Sequence, residues 1–264
     1  MLNSYFGFHK LPFAELVNHN TIFQTSQISF LLKRFADFTV TKGIALLTGD
    51  SGSGKTTLLN FLLANLDNNR FKPIYLVNYP QSAKAFLRLF ISKLGYLPKF
   101  FMEDILIQLP NILSEFKAQT KMRPFLILDE AHNISPSVLE QIRLLTCLDS
   151  DFAPIIVFAA HSGFKDKLYF SCFQALRYRL SFIFMLETLS KIEIKDYISF
   201  HLKLAGLTRD IFSDDAITQI FNLSRGLPRL INRIATEALY LAAEKNISDI
   251  DHNIIDIVAK LGLV

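Results

Sequence analysis

The chain has 264 residues, half of them hydrophobic and a fifth charged. This is room for one large domain, or a medium domain with a small appendage, and the composition excludes a disordered chain. The net charge of +4 permits contact with nucleic acid or an anionic surface without demanding either, and no Lys/Arg block forms a basic tail.

Phe is heavily used and Trp absent, which reads as core filling. Cys147 and Cys172 have no metal or redox spacing, so reduced, partly buried thiols are expected. Met1 to Phe6 show no basic region followed by an apolar run, and stretches such as Ala153 to Ala160 are far shorter than a bilayer span. The expectation is a cytoplasmic chain with no integral membrane segment.

In chain order, a helix is expected from Ser26 to Val40 and a strand from Ile44 to Thr48. A helix over Lys55–Leu66 and a strand over Pro73–Asn78 come next, then helices over Ser82–Leu94 and Asp104–Thr120. Phe125–Asp129 is the third strand, and Pro136–Cys147 a helix with Ser135 as its N-cap. Strands over Pro154–Ala159 and Ser181–Met185 follow. Most of the strands are continuously apolar at their centres, as a parallel sheet covered on both faces requires. After about Ser190 only amphipathic helices are expected, over Lys191–Leu204, Ser213–Leu223, Pro228–Glu244 and Asp249–Leu261. The predicted division is 1–190, an N-terminal extension with a sheet domain, and 191–264, a helical domain.

Gly49-Asp50-Ser51-Gly52-Ser53-Gly54-Lys55-Thr56 fits G-x-x-x-x-G-K-[ST] at every fixed position, between a strand and a helix. Glycines and small residues let such a loop curl so that backbone N–H groups point at phosphates, and the helix N-terminus adds partial positive charge. Lys55 is expected to reach the β- and γ-phosphates and the Thr56 hydroxyl to ligate Mg²⁺. The nucleotide-binding stretch is taken as Gly49 to Thr57.

Phe125-Leu126-Ile127-Leu128-Asp129-Glu130 is a strand ending in two acids. In P-loop proteins such a strand is expected beside the phosphate loop. Asp129 suits Mg²⁺ and Glu130 suits orienting and deprotonating the attacking water. The alternative is a pair of acids capping a strand. His132 completes Asp-Glu-Ala-His, which also occurs in helicases with two tandem sheet domains, but this chain has room for one. His132 is otherwise a polar residue opening the loop before Ser135.

Several further segments carry a family resemblance. They are Tyr5-Phe6-Gly7-Phe8 with Pro12-Phe13, Lys42 to Gly49, Asn78-Tyr79-Pro80, Leu128 to Ser135, Leu139 to Leu145, and Gly226-Leu227-Pro228-Arg229-Leu230-Ile231-Asn232. With these, nearly the whole chain resembles the AAA+ ATPase domain of the general secretion pathway protein A (ExeA-like) family. The resemblance implies a P-loop AAA+ three-layer sandwich with a five-stranded parallel sheet and a small all-helical lid domain. It implies Mg-ATP as ligand, hydrolysis, a homo-oligomer, and a partner in a secretion or envelope machine reached from the cytoplasm. Phe6 to Phe13 fall where the family wraps the base.

Arg229 falls where AAA+ proteins keep a lid arginine for the γ-phosphate. The alternative is a solvent-facing stripe with Arg225 and Arg233. Arg177 and Arg179 are both placed for an arginine finger acting on a neighbouring copy. His161 stands at the position after the fourth strand that senses the γ-phosphate, where the family usually has Val-Gly-Gln-Pro, and Ile183 stands where it tends to carry an arginine. Family members continue into a membrane helix and a periplasmic region, whereas this sequence runs to Val264. Two other readings stay open: a DNA-associated helper ATPase of the transposition type, binding duplex DNA, and a nucleotide-gated scaffold with little turnover.

Overall fold

A computed structural model describes residues 2–14, 21–41, 43–148 and 153–262; Lys42 and Val264 lie outside them. In chain order the elements are α1 (Leu2–Phe6), α2 (Ser26–Val40), β1 (Ile44–Gly49), α3 (Lys55–Ala64), β2 (Phe71–Leu76), α4 (Ala83–Leu94), α5 (Met102–Thr120) and β3 (Arg123–Leu128). They continue as α6 (Pro136–Leu145), β4 (Ile155–Ala160), α7 (Phe164–Lys167), α8 (Gln174–Arg177), β5 (Leu180–Leu186), α9 (Lys191–Leu204), α10 (Asp214–Ser224), α11 (Pro228–Glu244) and α12 (His252–Lys260). The described residues fall into two units, one drawn from 27–50 and 62–186, the other from 1–26, 51–61 and 187–264.

The first unit is built on a five-stranded sheet in the order β2-β3-β4-β1-β5, parallel throughout. β1 and β4 are buried along their full length and β3 nearly so, which explains their unbroken apolar runs. β2 and β5 are the edges and carry exposed positions; Ile183 and Met185 on β5 are exposed. Leu46, Leu128, Ile156 and Phe158 face a core shared with Phe86, Phe90, Leu113 and Ile142 from α4, α5 and α6. On the opposite face α2 lays Phe35 against Phe125 and Phe38 against Phe182. Helix, sheet and helix thus make three layers. β4 lies between β1, which feeds the phosphate loop, and the acidic strand β3, and pairs with both. Both cysteines are exposed, not partly buried.

The second unit is helical. Ser190 and Glu193 form a reciprocal capping box on α9, Ser213 caps α10, and Pro228 opens α11, where a missing N–H costs nothing. α12 starts three residues later than expected, because Asp251 is the residue whose side chain accepts from Ile254 N. Its core is small aliphatics such as Ile194, Ile231, Ala235, Ala238 and Ile255, together with Leu2, Phe6, Phe8 and Phe13 from the N-terminal segment. Phe212 and Ile250 form an isolated parallel bridge that ties the starts of α10 and α12.

His201 of α9 lies in that core between Phe13 and Tyr197, with ring centroids 5.2 and 4.5 Å away. Burial, helped by the charge of Lys10, holds its pKa down at about 4, against an ordinary 6.5. Between these values the unfolded chain takes up a proton that the folded chain refuses. Stability is therefore full above pH 6.5 and falls by about 3 kcal/mol as the pH drops to 4. Urea unfolding across that range should show this slope, and His201→Phe should flatten it.

Candidate functional site

β1 ends at Gly49, and Thr48 in its last turn donates its hydroxyl to Phe184 O at 3.2 Å, which fastens the strand end to β5. Asp50 follows and accepts from the Ser162 hydroxyl at 3.2 Å. The chain then curls through Gly52 (φ +84°) and Gly54 (φ +98°), both in the left-handed region, before α3 begins at Lys55. Leu58 N donates to Gly54 O at 2.9 Å, the first turn of the helix. Alternating left-handed glycines turn successive N–H groups to one side, the concavity that phosphates occupy.

Three features of this loop fit a polyphosphate. The Ser53 hydroxyl is buried and has no hydrogen-bond partner among the described residues. A buried hydroxyl left in that state costs free energy that a ligand oxygen would recover. Lys55 is buried at the first position of α3, the end of a helix that attracts anions. Thr56 and Thr57 are exposed one residue further on. A hydroxyl at Thr56 and a carboxylate at Asp129 are hard oxygen donors of the type Mg²⁺ takes.

Arg229, the second residue of α11, lies directly on this loop. Its N–H donates to Gly52 O at 3.2 Å, and its guanidinium donates to the Ser51 hydroxyl at 3.3 Å. A Cβ at position 52 would stand 2.8 Å from the Arg229 Cβ, so glycine is required by contact as well as by φ. Arg225 is not part of an α11 stripe. It closes α10 in a left-handed conformation, φ +50°, which removes it from the face that carries Arg229 and Arg233.

The acidic pair lies at the end of β3, in the sheet unit. Asp129 is 2% exposed. Its Oδ2 accepts from the Tyr75 hydroxyl at 2.7 Å and its Oδ1 from the Glu130 N–H at 2.9 Å. Glu130 itself is left-handed, φ +53° and ψ +39°, a rare state for a non-glycine residue and one that clusters at functional sites. The Tyr79 hydroxyl reaches both carbonyls there, Glu130 O at 2.7 Å and Asp129 O at 3.1 Å. Burial pushes both tyrosines well above the ordinary phenol range, and the Asp129 and Glu130 charges add to it. They are donors at every working pH.

His132 lies in a 3-10 turn, Ala131–Asn133, with Nδ1 3.4 Å from the Glu130 carboxylate and its ring 4.2 Å from that of His161. His161 follows β4 and is exposed. Its Nδ1 accepts from Gly163 N at 3.1 Å, so the neutral ring carries its proton on Nε2 and offers a donor there. Lys167 secures the turn by donating to His132 O and Ile134 O at 3.3 and 3.2 Å. The sheet unit thus brings Glu130, His132 and His161 together.

Arg177 packs over the Tyr169 ring at 5.0 Å and donates to Tyr169 O at 3.4 Å. Arg179 is exposed and donates to Thr146 O and to Cys147 Sγ, both at 3.4 Å.

Residues 39–168 match the AAA domain family. The chain has a P-loop AAA+ fold. Cdc6p from Pyrobaculum aerophilum is similar in structure at a TM-score of 0.64 and 21% identity, over 90% of this chain and 67% of that one. The Aeropyrum pernix ORC1 protein, solved in complex with DNA, gives 0.64 and 15% over 93% and 67%, and the Thermotoga maritima RuvB branch migration motor gives 0.57 and 18% over 90% and 69%. At these identities the likeness shows the AAA+ fold alone. Across 98% of its length the chain is 29% identical to general secretion pathway protein A of Aeromonas hydrophila, and it spans about half (48%) of that relative. Among the described residues no helix is long and apolar enough to cross a membrane.

Sequence reasoning missed Tyr75, Tyr79 and Lys167 in this AAA+ domain, and took His132 as a loop opener. Asn78-Tyr79-Pro80 was visible as a motif, but nothing local says that its hydroxyl acts fifty residues downstream.

Proposed function

We propose that this AAA+ protein binds and hydrolyses Mg-ATP to switch or remodel a partner complex. The observation that carries the reading is the curled loop with a buried lysine and a buried hydroxyl lacking a partner among the described residues. Backbone N–H groups from Gly49 to Thr57, the Ser53 hydroxyl and Lys55 hold the phosphates. Thr56 and Asp129 hold Mg²⁺, which supplies charge neutralisation at the phosphoryl oxygens. Glu130 orients and deprotonates the attacking water, and His161 donates from Nε2 to the γ-phosphate or to that water. Arg229 carries the state of the γ-phosphate to α11, and Arg177 or Arg179 adds charge at the site of a neighbouring copy in a homo-oligomer.

The relative's name supports a partner in a secretion pathway; a cytoplasmic protein that reaches the inner membrane through that partner is the corresponding proposal. One observation favours a DNA-associated role instead: Lys84 and Arg88 of α4 both lie over the exposed Phe100 ring, at 4.9 and 5.7 Å, and cations interleaved with aromatics suit nucleic acid.

Steady-state hydrolysis by wild type and Glu130→Gln, each with and without duplex DNA, tests the reading. Glu130→Gln should lower kcat by about 10²–10⁴-fold while ATP stays bound. Rates indifferent to DNA support a protein partner. Stimulation by DNA that is lost in the variant moves the assignment to DNA. Equal rates in both proteins would leave a nucleotide-gated scaffold.

A further inference from the structure

We propose that Tyr79 is a positioning residue for hydrolysis: its hydroxyl clamps the Glu130 backbone in the left-handed conformation that aims the Glu130 carboxylate. The inference rests on Glu130 as the base.

Left-handed backbone is disfavoured for a non-glycine residue, so it persists only where neighbours over-determine it. Three hydrogen bonds hold it here, one of them within the 3-10 turn itself. The Asp129 carboxylate takes the Glu130 N–H on one side, and the Tyr79 hydroxyl takes the Glu130 carbonyl at 2.7 Å on the other. The same hydroxyl lies 3.1 Å from Asp129 O, so one proton is shared between the two carbonyls that flank the turn. Tyr79 is held in turn by burial of its ring in the sheet unit's core. The Asn133 N–H also donates to Glu130 O, at 3.0 Å, from within the 3-10 turn; the Tyr79 hydroxyl is the side-chain donor that ties this carbonyl to the rest of the sheet unit.

Were the turn to relax to right-handed or extended backbone, the Cα–Cβ bond of Glu130 would swing and carry the carboxylate with it. A misplacement of about 1 Å at a reacting group costs up to 10²-fold in rate. Nucleotide affinity, by contrast, is set by phosphate contacts that Glu130 does not make.

Tyr79→Phe keeps the ring and deletes the clamp. In the nucleotide-free protein, amide exchange across Glu130 to Asn133 should accelerate. With Mg-ATP, kcat should fall about tenfold or more while KM and ATP affinity stay within about twofold. Combining Tyr79→Phe with Glu130→Gln should cost nothing beyond Glu130→Gln alone, because the tyrosine acts only through that carboxylate. An equal further loss on the Glu130→Gln background overturns the proposal, as does unaltered exchange. So does an unaltered kcat for Tyr79→Phe while Glu130→Gln loses turnover. Full turnover by Glu130→Gln overturns the reading of the base, and this inference with it.

Discussion

Lys55→Ala should abolish ATP binding and leave the empty protein as stable as wild type, or more so. Lys55 is buried at the N-terminal end of α3, where both burial and the helix dipole act against an ammonium group. An ammonium held at the anion-attracting end of a helix suits a phosphate ligand, and such function-directed placement commonly trades against stability. Charge-assisted contacts to phosphate are worth about 1.5–3 kcal/mol each, and Lys55 is expected to make two, so affinity should drop by at least about 100-fold. Thermal melts with and without Mg-ATP give both halves of the result. Wild type should shift upward with saturating ligand, and Lys55→Ala should not shift. A variant that melts lower yet still binds ATP would show Lys55 to be a structural residue.

The largest effect on stability is expected from Gly226→Ala. Gly226 sits between α10 and α11 at φ +78°, and the backbone of Leu189 lies against it. A Cβ there would stand 2.1 Å from Leu189 O, and Leu189 N donates to Gly226 O at 2.9 Å, so neither backbone can withdraw without losing that bond. The clash adds to a left-handed penalty of about 1–2 kcal/mol, for a total of about 4 kcal/mol and a melting point lower by about 10 °C. Gly95→Ala is the comparison. Gly95 has φ +97° and nothing within 4 Å of a built Cβ, so only the backbone penalty of about 1 kcal/mol applies. Equal losses in the two variants would show that φ alone decides.

The strands at the centre of the sheet were legible because both faces are buried and the apolar runs are unbroken. The edge strand β2 was displaced by two residues. Pro73 was taken as its start but lies inside it, which an edge tolerates because the missing N–H faces away from the only neighbour, β3. Helices α2, α9 and α11 carry complete periodic stripes and were placed as found. Of the candidate site, the loop from Gly49 and the acids at 129 and 130 were readable from spacing. What was not readable is whatever depends on approach between distant parts of the sheet unit: Tyr75 and Tyr79 on the acidic turn, and His132 against His161. Each joins residues separated by 29 or more positions, and no local pattern encodes such a contact. Arg225 failed in the opposite way. Even spacing suggested a stripe, and a left-handed helix end broke it.

The helical core that takes in Leu2, Phe6, Phe8 and Phe13 sets a schedule for synthesis. These side chains leave the ribosome well before the helices that cover them, which begin with Lys191. At 5–20 residues per second the wait is on the order of ten to forty seconds. Through that interval three phenylalanines stay in water beside a growing sheet domain, open to chaperones and to other nascent chains. Yield in a cell should therefore depend on how quickly translation completes α9 to α12, and slow codons between the sheet and α9 should lower it without changing a single residue.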